Sequence, residues 1–208
     1  MRRSISVVGG GGDAWTVCAG NPMDDLREKM LMRAAIHVKS ARAQRLLYQF
    51  AAKKAVADKI AKLPHFLRSY AFVFDYAQNM ELPIFNVEQP GCSYYYSPMG
   101  VYTGGMVDHD HEYDDGGVFD HLHAHVYHEG VGKKGANNVA SLIMKTLRLK
   151  NLLREDEMGG ELTICFDNCT GQNKNNTVMK LMVWLCEMGY FKKISFIFLV
   201  VGHTKKLV

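Results

Sequence analysis

Three short stretches, RSYAFVFD (Arg68 to Asp75), ELTICFD (Glu161 to Asp167) and ISFIFLVV (Ile194 to Val201), hold short, mostly apolar runs rich in β-branched or aromatic side chains, and the first two runs stop on an aspartate. They fall far below the roughly 18 residues that cross a bilayer. They also lack the one-sided stripe of a surface helix. Runs of this kind read as strands buried on both faces, and such strands belong to sheets that helices cover above and below. The intervening text supplies the helices. In GKKGANNVASLIMKTLRLK, residues Ala136, Val139, Ala140, Ile143, Met144 and Leu147 make one continuous apolar face. Val178, Leu181, Met182 and Leu185 make a second, closed by Gly189.

Two further segments, GVYTGGMVD and VFDHLHAHVYHE, alternate more and flank the acidic loop HDHEYDDGG, so they read as an antiparallel hairpin. The element order is strand, strand, strand, helix, strand, helix, strand. Strands joined through helices are parallel neighbours and strands joined by short loops pair antiparallel, which gives an α/β protein with a mixed five-stranded sheet. The division into buried and alternating runs fits the order 3-2-1-4-5, with the first and fourth strands side by side. That is the order of the ribonuclease H-like fold.

Three regions are expected: a flexible Gly-rich beginning over residues 1–22, a helical arm over 23–63, and an α/β domain over 64–208. In the arm, Leu26, Met30, Ala34, Val38 and Ala41 recur at helical spacing, Asp24 and Asp25 suit the positive end of the helix dipole, and Pro64 ends it. Its Lys and Arg residues, from Arg27 to Lys59, make either a face that follows a phosphate backbone or the solvated side of an amphipathic helix. The net charge of +4 is too small to argue for nucleic acid by itself. Five cysteines without a CxxC pair point to reduced thiols and an intracellular protein. Neither a signal-peptide core nor a membrane anchor is visible, so no membrane partner is expected.

In a sheet of the expected order, Asp75 and Asp167 end neighbouring parallel strands and arrive at the same edge. Two adjacent carboxylates repel unless a cation or a proton lies between them, and hard oxygen ligands select Mg²⁺ or Mn²⁺. Two such ions about 3.5–4 Å apart would clamp a phosphodiester for in-line displacement. The alternative is that each aspartate caps the turn that follows it. The loop NCTGQNKNN after Asp167 also carries two readings: a cradle of amides and a lysine for phosphate oxygens, or a long helix-capping loop.

The histidines suggest a different metal. His121, His123 and His125 alternate along one strand face, with His109 and His111 across the hairpin, and together they form a candidate Zn²⁺ set. Residues i and i+4 of a strand lie about 13 Å apart, so the three cannot share one ion without a bend. A polar outer face on an edge strand is the competing reading.

FVFDYAQNMELP, GKKGANNVASLIMKTL, CFDNCTGQNKNN and VVGHTKK together resemble a domain of unknown function widespread in eukaryotic transposon-derived proteins, similar to a ribonuclease H-like integrase or transposase core. The resemblance covers the chain from about His37 onward. It implies that Asp75 and Asp167 are the first two acids of a DDE-type metal site taking Mg²⁺ or Mn²⁺. It further implies that Asn168, Gln172, Asn173, Lys174, His203 and Thr204 lie along bound DNA, and that the protein is nuclear. In the family an Asp follows the GHT segment closely, whereas this sequence reaches Val208 without one. The expectation is a two-Asp remnant of a phosphodiester-transfer site that neither cuts nor joins DNA, or a domesticated domain that binds nucleic acid or protein without catalysis.

Overall fold

The computed structural model describes residues 4–8, 14–18, 22–85, 88, 90–93, 95–112 and 116–200. They divide between two compact units, Met1–Arg42 and Ala43–Val208. In the first, β1 (Ser4–Val8) and β2 (Ala14–Cys18) pair antiparallel, Ser4 with Cys18 through Val8 with Ala14. These short segments, rich in β-branched residues, lie where no regular structure was expected. The arm is one helix, α1 (Pro22–Ile60), with Asp24 and Asp25 in its first turn. Of its expected apolar stripe, Leu26, Met30, Ala34 and Val38 are exposed and Ala41 is buried, and the other apolar residues Leu31, Met32 and Ile36 are exposed as well. From Ala43 onward the helix groups with the α/β unit.

The second unit is an α/β layer structure around a mixed six-stranded sheet. Its strands are β3 (Ser69–Tyr76), β4 (Met80–Leu82), β5 (Met99–Glu112), β6 (Val118–His128), β7 (Gly159–Phe166) and β8 (Phe191–Phe198). The order is β4-β5-β3-β7-β8, with β6 paired to β5. This differs from the expected five-strand order by the added β4, which extends the sheet beside the start of β5 through Met80–Val101 and Leu82–Met99 pairs. Three exposed residues next to Pro83 carry too weak a pattern to read as a strand. β3 pairs antiparallel with β5 and parallel with β7, and β7 pairs parallel with β8.

Burial follows the apolar runs, with one correction. β3 and β7 are buried along most of their length, whereas Ile194–Phe198 of β8 are half-buried, as befits an edge strand paired to β7. Alternation along each strand separates two layers. Phe72, Phe74, Met106, Ile164 and Phe166 pack against α2 (Ala136–Leu149) and α3 (Asn176–Glu187) through Val139, Ile143, Leu147, Val178, Met182 and Leu185. On the other side Val73, Val107 and Cys165 meet Tyr48 of α1 and Leu199. Both packing helices end as their sequences require. Asn151 (φ 52°) follows α2 and Gly189 (φ 76°) follows α3, the left-handed conformation that these two residue types adopt most readily. At Gly104 of β5 a Cβ would come within 2.5 Å of Leu142 Cδ1 and 3.3 Å of the Tyr76 ring, so a side chain there would require Leu142 to rotate away.

The central layer should therefore dominate stability. Ile164→Ala, at a fully buried position between the helices and the sheet, is expected to cost about 2–5 kcal/mol, measured by urea unfolding.

Candidate metal and phosphate site

The register between β3 and β7 sets one end of Phe74 opposite Phe166. The next residues along the two strands, Asp75 and Asp167, come together at the carboxyl edge. By alternation they share the Val73 and Cys165 side of the sheet, the side that faces Tyr48. Both are half-buried. Asp75 Oδ1 accepts a hydrogen bond from the Tyr76 backbone N–H at 2.8 Å. Burial raises the Asp75 pKa above its ordinary value. The Tyr76 hydrogen bond opposes the shift, the charge of Asp167 adds to it, and Lys134 opposes it.

Asp167 is held by the loop after it. Its Oδ1 accepts the Cys169 N–H at 3.3 Å and an N–H of the Asn173 side-chain amide. The loop closes on the Cys169 carbonyl, which accepts from the N–H groups of Asn173 (2.9 Å), Lys174 (3.0 Å) and, at 3.4 Å, Gln172. Asn175 caps α3 by accepting the Val178 N–H, and its amide donates to the Gln172 carbonyl at 2.7 Å. The N–H groups of Cys169, Gln172, Asn173, Lys174 and Val178 are thus engaged within the loop and its cap.

The loop side chains behave differently from one another. Lys174 is exposed, with Nζ 5.8 Å from the centre of the Phe198 ring. Asn168 and Gln172 are half-buried. Asn173, expected along DNA, is only 1% exposed and faces Asp167 instead, because the tight turn on Cys169 folds it inward. Its Oδ1 has no hydrogen-bond partner among the described residues. His203 and Thr204 lie outside the described residues.

Lys134 was missed by sequence reasoning. Its ammonium donates to the Ala77 carbonyl, lies 5.0 Å from the Tyr76 ring centre, and is close enough to Asp75 to draw its carboxyl pKa down. The available signal was a lysine pair just before a helix N-terminus, where the dipole disfavours cations and another partner must hold them.

At the other end of the sheet a second acidic pair is fully buried. Asp108 and Asp110 have zero exposure. Lys150, just past α2, donates to Asp108 Oδ2 and lies 3.5 Å from Asp110 Oδ1, while Arg68 donates to Asp110 Oδ2. Burial works to raise Asp108, but His123, Asp110 and Lys150 outweigh it and hold its carboxyl well below the usual range. Burial and then the neighbouring Asp108 push Asp110 up, against the pull of Lys150 and Arg68. The sequence signal was alternation: Met106, Asp108 and Asp110 occupy one face of β5.

The histidine candidates separate around this pair. His111, His121 and His123 gather, with ring centres 4.1 Å apart for His111–His121 and 4.7 Å for His121–His123. A register shift between Asp108 and His111 produces the bend. His109 turns away to Asp120 (2.6 Å) and the Tyr48 hydroxyl, and His125 to Thr146 of α2 (2.8 Å). Their shared strand face is not the polar outside. His125 is buried, and the alternate residues Leu122 and Val126 are exposed, because β6 turns its histidines toward α2 and its aliphatics away. Among the described residues no group of three His, Cys, Asp or Glu side chains is disposed to hold a metal ion.

Residues 97–208, more than half of the chain, match the family model described as Domain of unknown function (DUF7869). No curated protein and no solved structure matches the chain.

Two outcomes follow. Because the Asp75 pKa is raised in the folded state, its charge destabilises the fold increasingly as pH rises through that raised value, and not at all below the unfolded carboxylate range. Asp75→Asn should therefore melt a few degrees above wild type at neutral pH, with the gap closing toward about pH 4, as calorimetry would show. Lys150→Met leaves two buried acids short of a cation and should cost about 3–5 kcal/mol in urea unfolding.

Proposed function

Because the chain belongs to the DUF7869 family, a domain of unknown function, its chemistry has to be read from its own residues, and we propose a transposon-derived, ribonuclease H-like domain of the transposase or integrase type that contacts DNA phosphate through a divalent cation. The observation that carries this reading is the convergence of Asp75 and Asp167 at the same edge of two hydrogen-bonded parallel strands, near enough for one charge to raise the other's pKa. The placement of β3 between antiparallel β5 and parallel β7 supports the fold-level part.

The donor set fits the ion. Two carboxylates with an amide oxygen nearby are hard oxygen donors, suited to Mg²⁺ or Mn²⁺ that keeps several waters, not to Zn²⁺. Asp75 and Asp167 would hold it. When bound, it supplies positive charge to a phosphate oxygen. Lys174, exposed on the same loop, meets the strand backbone directly, and Lys134 partly offsets the negative charge at Asp75 when the site is open. Two carboxylates suffice for one hydrated ion but not for a pair at fixed separation, and among the described residues no third acidic, histidine or cysteine ligand joins them. The reading is therefore DNA binding without strand cleavage.

Mn²⁺ titration followed by electron paramagnetic resonance tests the site. Weak binding is expected in wild type and its loss in both Asp75→Asn and Asp167→Asn. Undiminished binding in both variants means that the ions sit elsewhere, and the proposal fails. Plasmid incubated with protein and Mn²⁺ should remain supercoiled. Nicking that disappears in Asp167→Asn would overturn the non-catalytic part.

A further inference from the structure

Asn173 is the one loop residue that is almost completely buried yet only half satisfied. It is 1% exposed, its amide nitrogen donates to Asp167 Oδ1, and its Oδ1 has no partner among the described residues. The orientation of the amide is not arbitrary. A carboxylate only accepts, so the nitrogen must face Asp167, and the carbonyl oxygen must then point away. A buried acceptor left without a donor is costly, and a helix-capping role does not call for it, since Asn175 caps α3. The loop nevertheless wraps three backbone N–H groups onto the Cys169 carbonyl, which holds this side chain inward.

We propose that Asn173 is a positioning residue of the Asp75–Asp167 site: its buried N–H fixes Asp167 through Oδ1 and leaves Oδ2 for the cation. This rests on the divalent-cation reading given above. Outer partners that orient a ligating group commonly matter 10–100-fold for metal affinity. The arrangement also restricts Asp167 to one rotamer, so the carboxylate does not have to be ordered when the ion arrives.

The test separates metal affinity from folding. Asn173→Leu keeps the branching at Cγ, removes the orphaned oxygen and cannot donate, although its larger side chain crowds a buried position. The folded variant should bind Mn²⁺ about tenfold more weakly or worse. Asn173→Ser, which keeps a short donor, should recover part of that affinity. Mg²⁺ should also shift the Asn173 side-chain amide resonances in wild type and leave them unmoved in Asp75→Asn. Wild-type Mn²⁺ affinity in folded Asn173→Leu overturns the role of Asn173 and leaves the two-carboxylate site standing. Should the leucine variant fail to fold, equal affinity in Asn173→Ser and no amide shift with Mg²⁺ overturn it instead. Absence of Mn²⁺ binding in wild type removes the site itself and this role with it.

Discussion

Six register pairs between β3 and β7, from Ser69–Glu161 to Phe74–Phe166, set the geometry on which everything else in the α/β unit depends. Parallel pairing forces both strands to finish at one edge, so the residues that follow Phe74 and Phe166 meet without any loop having to bring them together. The same pairing aligns Phe72 with Ile164 and Val73 with Cys165, and this commits alternate residues of both strands to opposite layers. A slip of one residue in either strand would exchange that strand's two faces and carry its aspartate to the side of α2 and α3. The large aromatic residues on that face, each fully buried, are what make such a slip prohibitive.

Much of this was legible in the sequence because burial leaves a signal that local context cannot imitate. Continuous apolar runs identified β3 and β7, and helical spacing identified α2 and α3 down to the closing Gly189. β4 was not legible, since three exposed residues carry no period. The burial of β8 was over-read: its composition matches the central strands, but it is an edge in this sheet, and hydrophobicity alone does not count neighbours. The α1 stripe failed for the opposite reason. Regular spacing of Leu26, Met30 and Val38 says nothing about the apolar residues between them.

The site was legible to the same extent as the fold. Asp75 and Asp167 could be found because each terminates an apolar run. Lys134 and the inward turn of Asn173 could not, since both depend on loop hydrogen bonds to the Ala77 carbonyl and the Cys169 carbonyl rather than on any periodic pattern. The histidines were legible in part. That His111 lies across the hairpin from His121 and His123 followed from the hairpin itself, whereas the turn of His109 to Asp120 and of His125 to Thr146 carries no periodic signal.

The two acidic pairs of this sheet serve as controls for one another. Asp108 and Asp110 are completely buried, and the chain matches them with Lys150 and Arg68 in direct contact. Charge is balanced internally, so the network has no use for an ion from solution and acts as a brace between β5, the start of β3 and the end of α2. Asp75 and Asp167 are placed less deeply, and their direct partners are neutral: backbone N–H groups and the Asn173 amide. Lys134 acts on Asp75 only through space, its ammonium being engaged with a carbonyl. Neutral donors orient carboxylates but do not cancel their charge; burial first, and then the neighbouring Asp167, raise the Asp75 pKa against the Tyr76 hydrogen bond and Lys134. Asp75 and Asp167 are thus a pair oriented by neutral donors at the carboxyl edge of the central strands, whereas Asp108 and Asp110 are a pair held by cations inside the fold.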